Sequence, residues 1–508
     1  MTSTRALVDS LGTSDKILSG NPNMTYFREV FTKRSQFGEQ INTIEFPKAL
    51  VFDSELAMDL HRECDVVTGV YLRIDLPINT VTVVNSAATY LMEWAQLEIG
   101  DQRIERLHGE YIEIRQDLRV IETKQAALTR LTGKNTTSSR TIYFVKLNFN
   151  IFNPGLPVCA LDQNPRIRFK FRRLNEIAPS LSVTGVLRAS LLVTSVYLPA
   201  PERDFFMQNE LTYLIEQTQR HFASVPAPAL TTTRKPFNVG SSIALGTTGI
   251  ASGTYTFNFT VPSDWYAWQD TSVSFTFYTA SSPVGGGGTY TLTIGGVLQT
   301  VTTVTGSNTV TLTTTTAPTV TAGATVSVVG TFATAPLINK VAWAIASTYT
   351  PLVSQAVTFY TEFINPVKEM HFIIQNTTAV PYDYKADGTN DQLVSMRMLF
   401  NGTEILTDDM TSPLFLRVLQ GLENHNRCPD RFFYTYCFAL DPENKQPTGS
   451  VNMTQIRRQQ FDFTLRYSTT PRVLRIYARS YNVLKIQDGK ARLLFNTIED
   501  TGSIQAET

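Results

Sequence analysis

The sequence predicts an all-β protein in which one β unit occurs twice and a smaller β unit is inserted between the copies. Three observations point there. Apolar and polar residues alternate in short runs closed by Gly, Pro, Asn or Asp. Similar segments recur in the same order far apart in the chain. Between them lies a long, almost charge-free stretch of different composition.

The alternating runs come first. Val70-Tyr71-Leu72-Arg73-Ile74-Asp75-Leu76, Ile142 to Leu147, Leu191 to Leu198, Met370 to Ile374 and Val473 to Ala478 have the period of two that puts one face of a strand inward. With 30 Phe and 20 Tyr the chain is rich in residues that fit a pleated surface. Helical periodicity is confined to Tyr111–Leu128 and to Pro201–Gln208, where Pro201 suits a first turn. Many short strands with turn signals and few helices mean a sandwich or barrel.

The duplication follows. Leu97-Glu98-Ile99-Gly100-Asp101-Gln102-Arg103-Ile104 and Leu399-Phe400-Asn401-Gly402-Thr403-Glu404-Ile405 each read as a strand, a tight turn with a Gly, and a returning strand. Ala160-Leu161-Asp162 and Ala439-Leu440-Asp441 come next in each half. A Phe-rich alternating strand then follows, Ile167–Phe171 in one half and Phe461–Leu465 in the other.

The insert spans 236–354. Between Asp270 and Glu362 its only charged residue is Lys340, and Thr, Val, Gly and Ser dominate. Thr289 to Ile294, then Gly295-Gly296, then Val297-Leu298 reads as a hairpin on a Gly-Gly turn. Disordered chains are usually charged and poor in β-branched residues, so a small folded domain is expected.

Composition excludes several function classes. Lys plus Arg and Asp plus Glu number 44 each, so the net charge is zero, against the basic balance of most nucleic-acid binders. The basic runs Arg166–Arg173 and Arg472–Arg479 alternate with apolar residues and read as polar strand faces. Zero net charge permits dense self-association. Cys64, Cys159, Cys428 and Cys437 form neither a C-x-x-C pair nor a zinc spacing. They read as reduced structural thiols of a cytosol-like compartment, with Cys428 and Cys437 unpaired in the core. Met1 to Gly20 lacks a signal-peptide pattern, and no window has the length of a membrane span.

Sites of chemistry are scarce. His61, His108, His221, His371 and His425 include no i, i+4 pair, and His371, in an alternating strand, reads as structural. There is no phosphate-binding loop ending in Lys and no G-x-S-x-G elbow. Asp408-Asp409 and Asp383/Asp387/Asp391 read as solvated loop carboxylates without the calcium-loop spacing. No catalytic, cofactor or metal residue is assigned. Sequons occur at Asn23, Asn135, Asn258, Asn376, Asn401 and Asn452, of which Asn258, Asn376, Asn401 and Asn135 are the candidate glycosylation acceptors.

Ordered motifs then carry a resemblance. Ser19-Gly20-Asn21-Pro22-Asn23-Met24-Thr25-Tyr26-Phe27-Arg28 and the Leu97–Ile104 hairpin with Gly109-Glu110-Tyr111 come first. Asn153-Pro154-Gly155-Leu156-Pro157 and Tyr213-Leu214-Ile215-Glu216-Gln217 follow, then Asn365-Pro366-Val367-Lys368-Glu369. The last are Tyr436-Cys437-Phe438-Ala439-Leu440-Asp441-Pro442, Gln446–Asn452 and Ile476–Leu484. Together they resemble the major capsid proteins of nucleocytoplasmic large DNA viruses. The turn at Asn153 lacks that family's usual Ala-Leu, and the 236–354 insert is not expected in its shortest members.

The resemblance implies a double jelly roll, two eight-stranded antiparallel β-sandwiches in tandem. It gives an arm at 1–24, a first roll at 25–208, and a second roll at 209–235 and 355–508. The inserted Thr/Gly-rich domain at 236–354 is expected on the outer capsomer surface. It further implies no enzyme activity and no cofactor, and a pseudo-hexagonal homotrimer that tiles an icosahedral virion shell assembled in the host cytoplasm. Expected partners are neighbouring capsomers and minor capsid and penton proteins. The internal viral membrane is met only indirectly, and nucleic acid is not contacted. The alternative reading is a non-viral multi-domain β-sandwich that binds or cleaves carbohydrate, since sandwiches host both activities.

Overall fold

The computed structural model describes residues 12–23, 25, 27, 31–46, 53–76, 82–137, 142–178, 188–228, 354–386, 390–468, 470–497 and 501–502, and between 229 and 353 the segments 237–238, 251–260, 273–279, 290–305, 309–315, 325–334 and 338–345. The chain divides into two compact units. One comprises Met1–Glu113, Thr123–Thr218 and Tyr481–Asn496, and the other Ile114–Glu122, Gln219–Ser480 and Thr497–Thr508.

The first roll is built from β1 (Gly38–Glu45), β2 (Glu55–Asp59), β3 (Val66–Asp75), β4 (Met92–Ile99), β5 (Gln102–His108), β6 (Ile142–Lys146), β7 (Leu156–Pro157), β8 (Arg166–Phe171) and β9 (Arg188–Tyr197). One sheet has the order β1-β9-β3-β6, with β7 on β3; the other has β2-β8-β4-β5. The chain therefore passes back and forth between two sheets, which is the jelly-roll order. Alternation sets which face is inward. In β8, Ile167, Phe169 and Phe171 are fully buried, while Arg166, Arg168 and Lys170 pair with Asp59, Glu98 and Glu93 at 2.8, 3.3 and 3.3 Å. The basic run of the sequence is thus a neutralised strand face.

After β10 (Leu211–Val225) the chain makes β11 (Phe237–Asn238), β12 (Ala251–Thr260), β13 (Val273–Thr279), β14 (Tyr290–Ile294), β15 (Val297–Gln299), β16 (Val301–Thr305), β17 (Thr309–Thr314), β18 (Thr325–Thr334) and β19 (Ile338–Ile345). Their sheets are β11-β19-β13-β17-β16 and β12-β18-β14-β15. Strand for strand, with β16 added to β17, this is the order of the first roll. The inserted unit is therefore a third, smaller jelly roll. Its Gly-Gly hairpin stands where the sequence put it: Gly295 and Gly296 have φ of 57° and 84° between β14 and β15, the positive values a two-residue hairpin turn requires.

The chain then completes the roll opened by β10. The strands are β20 (Ser354–Thr361), β21 (Pro366–Asn376), β22 (Leu393–Phe400), β23 (Thr403–Glu404), β24 (Tyr434–Cys437), β25 (Val451–Asn452), β26 (Gln459–Arg466), β27 (Arg472–Gln487), β28 (Lys490–Leu493) and β29 (Thr501–Gly502). The sheets are β24-β21-β27-β10-β29 and β20-β26-β22-β23. Both contribute to one core, in which Phe372, Ile374, Leu474 and Ile476 of the first sheet meet Phe359, Met396, Phe461 and Phe463 of the second. The rings of Phe372 and Phe461 lie 5.6 Å apart. The repeated segments of the sequence take equal places: β4–β5 matches β22–β23, and β8 matches β26.

Of the two helical expectations, one holds and the other needs refinement. Pro201–Gln208 lies in the helix Ala200–Gln208. Tyr111–Leu128 is not one helix but Gly109–Arg119, a turn at Glu122–Lys124 and a second helix at Gln125–Thr132. The break falls at Val120-Ile121, two β-branched residues that disfavour helix. No helix among the described residues is long and apolar enough to cross a membrane.

Candidate functional site

The most concentrated chemistry in the second unit lies on β21. Met370, Phe372 and Ile374 turn to the core, so the alternate residues Glu369 and His371 share the opposite face. Strand register then selects their neighbours. Glu369 stands opposite Cys437 of β24 and Arg479 of β27; His371 stands opposite Thr435 and Tyr477. Directly opposed residues share a face, so Cys437, Glu369 and Arg479 line up across three strands. His425 arrives from the end of a helical stretch, Leu414–Leu419 and Gln420–Asn424, whose first part is a π-helix. Glu443 follows β24.

The cluster is largely buried and charged. The side chains of Glu369, His371 and His425 are 2%, 1% and 1% exposed. Arg479 Nη1 donates to Glu369 Oε1 at 2.7 Å. His371 Nε2 lies 3.6 Å from that same oxygen, and His371 Nδ1 is 3.0 Å from the Thr435 hydroxyl. His425 Nδ1 is 3.2 Å from Glu443 Oε1, and Glu443 also pairs with Arg119. His425 Nε2 is 3.7 Å from Glu369 Oε2 and 3.6 Å from Cys437 Sγ. Glu369 Oε2 itself is buried with no hydrogen-bond partner.

Burial alone would raise the Glu369 pKa, but the Arg479 guanidinium and the two histidines outweigh it and hold the carboxyl well below its usual range. Burial, with Glu369 and Glu443 nearby, pushes the Cys437 thiol well above its usual value. That is the reverse of an activated nucleophile, whose thiolate is favoured by positive surroundings. Burial likewise raises the Cys64 and Cys159 thiols.

The candidate glycosylation acceptors and the acidic loop residues do not join this cluster. Asn135 and Asn401 are exposed, both at positive φ. Asn376 is half-buried, and its Oδ1 accepts from Gln392. Asn258 lies in β12, and its side chain is outside the described residues. Of the acidic loop residues, Asp391 pairs with Arg417 and Tyr434, Asp408 and Asp409 lie exposed in a short turn, and Asp387 is outside the described residues. Motif reading passed over Glu369, His425 and Cys437 as a set because they stand far apart in the chain. Strand register joins Glu369 to Cys437, and the helical stretch ending at Asn424 brings His425 to them.

Comparison with known proteins follows the fold. A family model described as the large eukaryotic DNA virus major capsid protein matches residues 327–491, and one described as the major capsid protein N-terminus matches residues 25–195. The major capsid protein of Phaeocystis pouchetii virus is 23% identical over 96% of this chain and 98% of its own length. That of Paramecium bursaria Chlorella virus 1 is 22% identical over 95% and 97%. The VP54 crystal structure from PBCV-1 aligns with a TM-score of 0.60 at 17% identity, covering 93% of this chain and 100% of that one. This last likeness establishes a shared fold, the double jelly roll.

Proposed function

We propose a function from one premise: the chain belongs to the major capsid proteins of large eukaryotic DNA viruses. It is a structural protein of the virion shell, and it acts by assembling with copies of itself. The carbohydrate-directed alternative is not favoured by any of these relatives.

In the finer reading, three chains close into a homotrimeric capsomer with a pseudo-hexagonal outline. The observation that carries it is the repeated strand order, β1-β9-β3-β6 with β2-β8-β4-β5, then β24-β21-β27-β10 with β20-β26-β22-β23. Two like rolls per chain give a three-fold assembly six similar corners, suited to hexagonal tiling while the true symmetry stays three-fold. Exposed apolar side chains supply contact surface: Leu414, Leu422 and Val380 in one unit are 70%, 65% and 64% exposed, and Phe205 and Met207 in the other are 57% and 58% exposed.

Further parts of the reading extend from the same premise. The role is structural, without catalysis. The third roll, at 236–354, faces outward on the capsomer. Minor capsid and penton proteins join the capsomers, the internal membrane is met only through them, and assembly takes place in the host cytoplasm. Four free cysteines fit a reducing compartment. Deleting residues 240–350 tests the insert: normal assembly and infectivity without it would leave it as a spacer. Electron cryo-microscopy of particles containing the chain tests the rest. Six-sided, three-fold capsomers with a third-roll protrusion at the outer face are expected; a shell in which this chain is absent or dimeric would overturn the reading.

A further inference from the structure

From the geometry of the cluster on β21 we infer a transition-metal site of the zinc class, held by Glu369 Oε2, His425 Nε2 and Cys437 Sγ. The three donor atoms all lie within 4.8 Å of one another. Zinc binds thiolate at about 2.3 Å and imidazole or carboxylate at about 2.0–2.2 Å, in a tetrahedron whose ligand–ligand edges are then about 3.4–3.6 Å. The His425–Cys437 and His425–Glu369 edges are 3.6 and 3.7 Å. An N–H···O hydrogen bond is about 2.7–3.2 Å long, so His425 and Glu369 are spaced for a shared cation rather than for each other.

A second, independent observation points at a ligand. Glu369 Oε2 is buried and makes no hydrogen bond, although its sister oxygen accepts from Arg479 at 2.7 Å. Leaving one oxygen of a buried carboxylate unsatisfied is costly, and a bound cation would satisfy it.

The surroundings have the form of a supporting shell. Metal-bound histidines usually hand their other ring nitrogen to a carboxylate, which fixes the tautomer. His425 does so: Nδ1 faces Glu443 Oε1 at 3.2 Å, and Arg119 pairs with Glu443 in turn. Arg479 orients Glu369 in the same way. The fourth vertex falls to water or to His371, whose Nε2 is 3.6 Å from Glu369 Oε1. One sulfur, one nitrogen and one oxygen suit zinc and its neighbours; calcium and magnesium prefer oxygen alone. On binding, the Cys437 proton leaves to solvent and the thiolate becomes the ligand. The metal would tie β21, β24 and the Leu414–Asn424 helical stretch together, a stabilising role separate from shell assembly.

Full-length protein treated with chelator, then with Zn²⁺ and desalted, tests this by elemental analysis. About one zinc per chain is expected. Loading with Co²⁺ should give a thiolate-to-cobalt charge-transfer band and the strong visible absorption of tetrahedral cobalt. Both should vanish in Cys437→Ser and persist in Cys64→Ser. Glu443→Gln, a positioning change, should weaken zinc by about 10–100-fold while keeping the cobalt spectrum. Sub-stoichiometric zinc in the folded wild type, or a cobalt spectrum without the thiolate band, would overturn the site and leave a metal-free ionic cluster. Native mass, measured on the same samples, reports on capsomer formation separately.

Discussion

Arg479 and Glu369 meet across the β27–β21 ladder, guanidinium to carboxylate at 2.7 Å, with 3% and 2% of their side chains exposed. Removing one partner of a buried pair leaves an uncompensated charge, which costs about 3–5 kcal/mol. Arg479→Met and Glu369→Met should each lose stability on that scale in denaturant unfolding. The double variant Arg479→Met/Glu369→Met should lose much less than the sum of its single changes. Additive losses would show that the two side chains act independently.

Tyr434 holds a different joint of the second roll. Its hydroxyl donates to Asp391 Oδ1 at 3.1 Å and accepts from the Leu393 N–H at 3.2 Å, and the residue is fully buried. Tyr434→Phe leaves a buried N–H without an acceptor, at a cost of about 1–3 kcal/mol. Asp391 keeps its ion pair with Arg417 at 3.3 Å. A change in unfolding free energy below a few tenths of a kcal/mol would contradict this assignment.

Glycines in the two rolls separate backbone strain from collision. Gly402, at φ 84°, has open space where a Cβ would be; Gly155, at φ 100°, would place a Cβ 2.7 Å from Val66 Cγ1. Gly402→Ala should cost about 1–2 kcal/mol from the left-handed conformation alone. Gly155→Ala carries that strain plus the clash and should lower the melting temperature further. Equal losses would remove the clash from the explanation.

Tyr213 gives a pH signature. Burial raises its phenol to about 12 from an ordinary 10.0. The fold therefore favours the neutral form. This contribution to stability is complete below pH 10.0 and is lost as pH rises toward about 12. In the phenolate absorbance titration, the difference between wild type and Tyr213→Phe should be one tyrosine ionising near pH 12. A difference curve centred near 10.0 would contradict the burial argument.

Much of the fold was legible because strand period and turn chemistry are local. Ile167, Phe169 and Phe171 announced their inward face by alternation, and Gly295-Gly296 announced a hairpin. The family resemblance supplied the way the strands connect, which alternation cannot. The strand order of the insert was not legible: a Thr-rich alternating stretch gives strands but not their partners. Leu414–Asn424 was also missed, since Phe415-Leu416-Arg417-Val418 alternates too weakly to separate helix from strand. The Glu369–His425–Cys437 cluster was hidden for a third reason. His371 read as structural, and Cys437 as a core thiol, because their partners are set by cross-strand register.

The native mass of the purified full-length protein tests the central claim most directly. One chain is 56.7 kDa, so a closed homotrimer should scatter light as a particle of about 170 kDa that persists on dilution. A monomer at every concentration would contradict a preformed capsomer.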